Sequence, residues 1–417
     1  MRLTRVHVTG LFGLFEHEIR LNSDERVTII HGPNGFGKTL VLRMTEALIS
    51  GNYELFYEVP FKSFTLDTDT GLRLLVEREE LTDPEQIKQL KADVYVGVKK
   101  SESNAPRYWL KFKKLESPLF GNIRMTGVLA IAPPMNSVRG EIDNSPDEPT
   151  WVSRARSSFP RVRLVRTQRL GYPERRRSRL AVDEHSADLV AHIKQKLAEY
   201  AARSQELDRT FPVRLLNRSP AKALTAETLR ERLAALEGRR TALTQLGFLE
   251  PEQGTRLGEA SVQAIETKRE VLSVYVEDMA SKLAIFDELA SKIQVFTRII
   301  NERFLLKSLA IHRDQGFVFT SANGALLKPS ALSSGEQHEL ILFYELLFRM
   351  KKNELLLIDE PEISLHVAWQ ERFLGDLSEV VKLSEIDAVI ATHSPEIIGD
   401  HWDLTVELKG PDQVRRG

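Results

Sequence analysis

The chain has 417 residues, with 58 lysines and arginines against 59 acids and no cysteine. That length leaves room for a large core and one sizeable insertion. The near-zero net charge excludes a generic polyanion binder, and the lack of cysteine excludes disulfides and thiolate metal sites. No apolar run approaches the roughly eighteen residues of a membrane span. Met1 to Arg5 alternates like a strand and lacks the apolar core of a signal peptide. The expectation is a cytoplasmic protein without membrane contact.

Three strand-like runs come first: Val6 to Val8, Glu18 to Leu21 and Val27 to Ile30. The third is continuously apolar and stops at Gly32, as a strand buried on both faces does. An antiparallel section follows. Phe64 to Leu66 and Leu72 to Val76 flank the turn signal Asp69-Thr70-Gly71, and Val94 to Val96 and Tyr108 to Phe112 continue it. Residues 133–150, with several prolines and acids, read as an exposed loop.

From about 186 the period becomes helical. Leu189, Ile193, Leu197 and Tyr200 mark one stripe, and Leu229, Leu233, Leu236 and Leu243 another, with Thr225 as a cap and Glu227 in the first turn. A third, proline-free run extends from Val262 to Leu306. Arms of about 20 residues would reach roughly 30 Å. Strands return with Phe317 to Phe319, Leu355 to Ile358 and Ala388 to Ile390.

Four segments carry chemistry. Gly32 to Thr39 satisfies the P-loop pattern between a strand and a helical run beginning at Leu40. Its glycines, Gly35 and Gly37, and Asn34 let backbone N–H groups converge on phosphate oxygens. Lys38 should reach the β- and γ-phosphates of ATP, and Thr39 should ligate Mg²⁺. Leu355 to Glu360 is an apolar strand ending in two carboxylates. Asp359 fits a Mg²⁺ ligand and Glu360 a group that orients or deprotonates water, although a solvated strand end reads the same way. Leu332 to Gln337 is a Ser/Gly segment leading a helix. It is an anion-binding N-terminus or an ordinary cap by Ser333 or Ser334. His393 follows an apolar strand, where it either meets a γ-phosphate or is structural.

In this order the four motifs resemble those of the ABC ATPase superfamily, and within it the SMC/RecF-like and OLD-like soluble branch. The resemblance covers residues 1–48 and about 316–406 well, 160–172 weakly, and the helical insertion hardly at all. It implies an α/β, ABC-type P-loop NTPase head of mixed sheet and helices, split by a helical, coiled-coil-like insertion. The boundaries are 1–180 for the first part of the head, 181–306 for the insertion and 307–417 for the rest. It implies hydrolysis of ATP to ADP and phosphate with Mg²⁺. Ser333, Ser334 and Gly335 fall on the signature motif, which contacts the γ-phosphate held by a partner subunit. Ser364 to His366 fall on the D-loop, which crosses the dimer interface, and His393 on the switch histidine. Gln168, in a Q-loop-like segment from Val165 to Leu170, would lie near Mg²⁺ and the attacking water. Phe12 and Phe15 fit either an adenine platform or core.

Each subunit of such a fold lacks half of the γ-phosphate cage, so ATP becomes the ligand that closes a homodimer or higher homo-oligomer. Ten arginines and one acid, Glu174, lie between Trp151 and Leu180. The segment Arg154 to Arg179 is a contact for nucleic acid or an acidic protein, or a solvated surface. The motifs also look like those of OLD-like ATPases and the ATPase subunits of Septu and PARIS antiphage systems. The expectation is therefore a sensor or scaffold subunit of a prokaryotic defence complex. OLD proteins carry a nuclease after the ATPase, and here little chain follows His393, so a separately encoded effector, a nuclease, is implied. The alternative is a RecF-like DNA-repair ATPase with ATP-gated DNA binding.

Overall fold

The computed structural model describes residues 1–78, 94–100, 107–115, 124–132, 158–166, 175–217, 224–250, 262–363 and 367–411. The chain forms two units, one of Met1–Gly171 with Met350–Gly417 and one of Tyr172–Arg349. It is a mixed α/β P-loop fold split by a largely helical unit. The boundaries differ from those read in the sequence, chiefly at the second junction. The strands after residue 306 and the helix after Ser333 belong to the helical unit.

The first unit opens with β1 (Leu3–Leu11), β2 (Phe15–Arg20) and β3 (Val27–His31), then helices α1 (Lys38–Ser50) and α2 (Leu55–Glu58). Strands β4 (Ser63–Thr68), β5 (Leu72–Arg78), β6 (Val94–Lys100), β7 (Arg107–Leu115) and β8 (Arg124–Ala132) extend an antiparallel sheet in the order β2-β1-β4-β5-β6-β7-β8. The expected turn at Gly71 joins β4 and β5, pairing Asp67 with Arg73. Alternation in β4 buries Phe64, Leu66 and Thr68 and leaves the intervening residues half-buried. Strand β9 (Val162–Arg166) begins the second sheet.

The second unit starts with α3 (Arg175–Leu216), which at 42 residues is twice the expected arm length. The stripe from Leu189 to Tyr200 forms only its middle. Val182 and His185 extend the buried face towards the N-terminus, and Leu207 extends it towards the C-terminus. Helix α4 (Ala226–Gln245) buries the four expected leucines, and Thr225 caps it by accepting from Thr228 N. The proline-free run is not one helix. It divides into α5 (Val262–Thr267), α6 (Arg269–Leu283), a 3₁₀ turn at Ala284–Phe286 and α7 (Asp287–Arg303). The turn buries Phe286 against Tyr200 and Phe248, at ring distances of 5.3 and 5.5 Å.

An antiparallel sheet of β10 (Lys307–His312), β11 (Gly316–Ser321) and β12 (Leu326–Leu327) follows, then α8 (Ser334–Tyr344) and one π turn. Inside this unit Arg303 of α7 meets Glu339 of α8 at 3.2 Å, with side chains 3% and 6% exposed. The guanidinium also lies 4.6 Å over the Phe343 ring.

The chain returns to the first unit through β13 (Leu355–Asp359), α9 (Val367–Ser384), β14 (Asp387–Ala391), α10 (Pro395–Ile398) and β15 (Thr405–Glu407). These strands complete a five-stranded, all-parallel sheet in the order β15-β3-β14-β13-β9. Strands β3, β13 and β14 are buried almost throughout, as their unbroken apolar runs require.

Arg303→Ala removes the guanidinium 3.2 Å from the buried Glu339 carboxylate. It should destabilise the second unit by about 3–5 kcal/mol, whereas replacing both residues by apolar ones should recover most of that. Urea midpoints for the single and double variants check this. A single variant as stable as the wild type would contradict the pairing.

Candidate functional site

The parallel register delivers the site. Asp359 pairs with Ala391 and with Arg166, and Ala391 pairs with Ile30. The carboxyl ends of four neighbouring strands therefore lie at one edge, the ligand-binding edge of an open α/β sheet. From that edge the P-loop leaves β3, the acidic pair leaves β13 and the His393 segment leaves β14.

The loop from Gly32 to Gly37 turns into α1. Gly35 and Gly37 have φ of 85° and 88°, in the left-handed region. A Cβ on Gly37 would also meet Leu11 Cδ2 at 2.7 Å, so this position excludes a side chain twice over. Asn34 and Gly35 are exposed at the tip. Lys38 is 5% exposed, and its ammonium donates to the carbonyls of Gly32, at 2.6 Å, and Pro33, at 3.2 Å. Burial pushes its pKa down, opposed by Glu360, Glu362 and Asp359.

Thr39 Oγ donates to Asp359 Oδ1 at 2.9 Å. The first turn of α1 and the end of β13, 320 residues apart in sequence, thus bring two hard oxygen ligands together. No cluster of three metal-binding side chains occurs among the described residues. Mg²⁺ takes one or two protein ligands and completes its shell with phosphate and water, so Thr39 and Asp359 could hold it.

Glu360 follows with φ of 50°, rare for a residue with a side chain. Its N–H donates to Ala391 O at 2.8 Å, and its carbonyl accepts from Ile363 N at 3.1 Å. Backbone bonds on both sides hold this bend, which takes the carboxylate out of the strand line. Pro361–Ile363 form a 3₁₀ turn.

His393 lies beyond the same edge, its side chain 47% exposed. Both its backbone N–H and Nδ1 lie 3.0 Å from Glu362 Oε1. The sequence reading did not single out Glu362. Its only signal was an acid two residues past an acidic pair, which reads as solvated.

A second residue outside the motifs supports the loop. His17 of β2, 3% exposed, places Nε2 2.9 Å from the carbonyl of Phe36. Phe15 stacks on His17 and packs against Phe36, at ring distances of 5.6 and 5.2 Å. Phe15 is therefore packing under the loop, whereas Phe12 is 45% exposed.

In the second unit, Ser333 caps α8. Its Oγ accepts from Glu336 N at 3.2 Å, and Glu336 Oε2 accepts from Ser333 N at 2.6 Å and from Lys307 at 2.7 Å. Burial raises the Glu336 pKa, but Lys307 and the Ser333 contacts outweigh it and hold the carboxylate below its usual range. The cap reading of Ser333 is thus observed, while Ser334 and Gly335 lie exposed on the first turn. Gln168 and the segment 364–366 lie outside the described residues. Of the ten arginines, only Arg161 and Arg163 have described side chains.

A family model described as "AAA domain, putative AbiEii toxin, Type IV TA system" matches residues 198–399. No curated protein matches the sequence. Among solved structures, the chain is similar to the SMC head domain with an extended coiled coil, bound to the C-terminal domain of ScpA, from Pyrococcus furiosus. That pair is 11% identical, covers 98% of this chain and 94% of the other, and has a TM-score of 0.35. The SMC head domain from Thermotoga maritima is 12% identical, over 95% of this chain and 91% of its own, with a TM-score of 0.34. The Pyrococcus yayanosii SMC head with a coiled coil and joint is 12% identical, over 95% and 93%, with a TM-score of 0.32. No described helix is long and apolar enough to cross a membrane.

Burial pushes the His17 pKa below the ordinary 6.5, outweighing the raising effect of the Phe36 carbonyl. The unfolded chain thus takes up this proton more readily than the folded one. The stability contributed by neutral His17 is complete above pH 6.5 and is lost as pH falls towards its folded value. Thermal midpoints across that window should fall less steeply in His17→Gln than in the wild type. Equal slopes would remove His17 as the responsible group.

Proposed function

We propose that this chain is an ABC-type ATPase that binds Mg-ATP at the P-loop edge and hydrolyses it in a dimer closed over two nucleotides. The observation that carries the reading is the meeting of Thr39 and Asp359 beside a buried, loop-bound Lys38. Asn34, Gly35 and Gly37 shape the phosphate cradle, and Lys38 neutralises the β- and γ-phosphates. Thr39 and Asp359, with Gln168, would hold Mg²⁺, which when bound would supply Lewis-acid polarisation of the phosphates.

Glu360 orients or deprotonates the attacking water. Its backbone bend, at the sheet edge that the P-loop also leaves, supports that role. His393 meets the γ-phosphate. Ser334 and Gly335, with the capped N-terminus of α8, supply donors to the γ-phosphate held by a second copy. Ser333 contributes its place at that helix end, its hydroxyl already serving as the cap.

The wider role we infer is that of a sensor or scaffold subunit of a prokaryotic defence complex, controlling a separate effector, a nuclease. The toxin–antitoxin description of the matching family model supports this reading. The arginine-rich segment from Arg154 to Arg179 favours the second reading, a DNA-repair ATPase with ATP-gated DNA binding. ATP-stimulated, steeply salt-dependent binding to plain duplex would select the second reading.

Glu360→Gln should keep ATP affinity, accumulate the ATP-bound dimer and lower kcat by about 100-fold or more. Turnover and size-exclusion profiles measure this, and an unchanged kcat would remove Glu360 as the base. Lys38→Ala should weaken nucleotide binding by about 10–100-fold. Titration with a fluorescent ATP analogue reads it directly, and normal affinity would contradict the P-loop assignment.

A further inference from the structure

The Glu362 carboxylate is unusual for this edge. Its side chain is 8% exposed, and it sits in the 3₁₀ turn that follows Glu360. One oxygen, Oε1, accepts from the backbone N–H of His393 at 3.0 Å, and Nδ1 of the same residue lies 3.0 Å from it. The other, Oε2, is buried without a hydrogen-bond partner among the described residues. Burying a carboxylate with one oxygen unmatched is unfavourable, so a solvated acid would be the better choice if stability alone decided. The turn itself does not need the acid. Its backbone is held by the Glu360 and Ile363 contact and by Gln370 Nε2, which donates to the Glu362 carbonyl at 3.1 Å.

We infer that Glu362 is a positioning residue for His393, holding the imidazole in its Nδ1–H tautomer with Nε2 presented outward. An ionised carboxylate only accepts, so the ring nitrogen facing it must carry a proton. The same oxygen grips the backbone N–H of the same residue, which removes the freedom of the ring to swing away from the sheet edge. The half-exposed ring then offers one defined atom, Nε2, to whatever occupies the edge. A carboxylate in this position also stabilises positive charge that builds on the imidazole. Carboxylate support of a functional histidine is a general device for setting tautomer and direction together.

Glu362 follows β13 and His393 follows β14 at the edge from which the P-loop leaves β3, so the positioning pair belongs to that edge. The catalytic consequence rests on the proposed contact of His393 with the γ-phosphate, whereas the tautomer does not.

The test uses the full chain carrying ¹⁵N-labelled histidine, with the His393 signals among the ten histidines assigned through His393→Ala. Spectra are taken about two pH units above the ordinary histidine value, where the rings are neutral. The wild type should show His393 protonated on Nδ1. Glu362→Ala should move it towards Nε2–H, and Glu362→Gln, whose amide oxygen still accepts, should restore Nδ1–H. A His393 tautomer that is the same in wild type and Glu362→Ala would overturn the inference, whatever the activity.

ATP turnover supplies the second readout. Glu362→Ala should lower kcat about tenfold with little change in KM, Glu362→Gln should recover part of it, and the effect should vanish in a His393→Ala background. Where His393→Ala itself lowers turnover, full additivity of the two alanine variants would overturn the inference. Wild-type turnover by His393→Ala, with the tautomer responses intact, would remove the γ-phosphate contact and leave the positioning by Glu362 standing.

Discussion

Everything at the candidate site depends on the parallel pairing of β3, β14, β13 and β9. Parallel strands place their carboxyl ends at the same edge, and the register puts Ile30, Ala391, Asp359 and Arg166 side by side there. Backbone hydrogen bonding thus brings together residues that the sequence keeps more than 300 positions apart, such as Thr39 and Asp359. Strands β3, β13 and β14 can be buried on both faces because most side chains along them are apolar, and Asp359 and His31 stand where β13 and β3 end. A one-residue slip in this register would disperse the site without touching any of its residues.

The edge concentrates charge in a confined space. Lys38 is buried and loses affinity for its proton by desolvation, while three carboxylates oppose that loss. Its ammonium rests on two loop carbonyls. The positive-φ bend at Glu360 and the inward turn of Glu362 separate the acids by role. Asp359 meets Thr39, Glu360 leaves the strand line, and Glu362 takes His393. The neighbouring histidine, His17, works from behind the loop by holding the Phe36 carbonyl. These contacts fix the groups of the candidate site in place before any ligand arrives.

Much of this was legible in the sequence. The unbroken apolar runs at Val27, Leu355 and Ala388 mark the central strands, and the P-loop spacing identifies Lys38 and Thr39 without any coordinates. The Thr225 cap and the four leucines of α4 follow helical periodicity and occur as read. Other features depend on tertiary context. The division of residues 262–303 into three helices carries no proline or glycine signal; the break between α6 and α7 is where Phe286 is buried in a 3₁₀ turn. The length of α3 was underestimated because its first turns are basic and lack an obvious stripe. Ser333 could be read as a cap or as a phosphate ligand, and only the reciprocal bond from Glu336 shows the cap. Glu362 and His17 were invisible because an isolated acid or histidine has no local pattern. Their meaning comes entirely from the partner that the fold supplies.

In the proposed function, two copies of the chain complete each site, one giving the P-loop and the other the α8 N-terminus. Mixing two inactive variants tests that division directly. Lys38→Ala keeps an intact signature segment, and Ser334→Arg keeps an intact P-loop. Each alone should be silent, and an equal mixture should recover up to about one quarter of wild-type ATP turnover, since random pairing gives half heterodimers with one complete site each. A mixture as inactive as its components, or a Ser334→Arg protein that hydrolyses ATP normally by itself, would contradict the shared site.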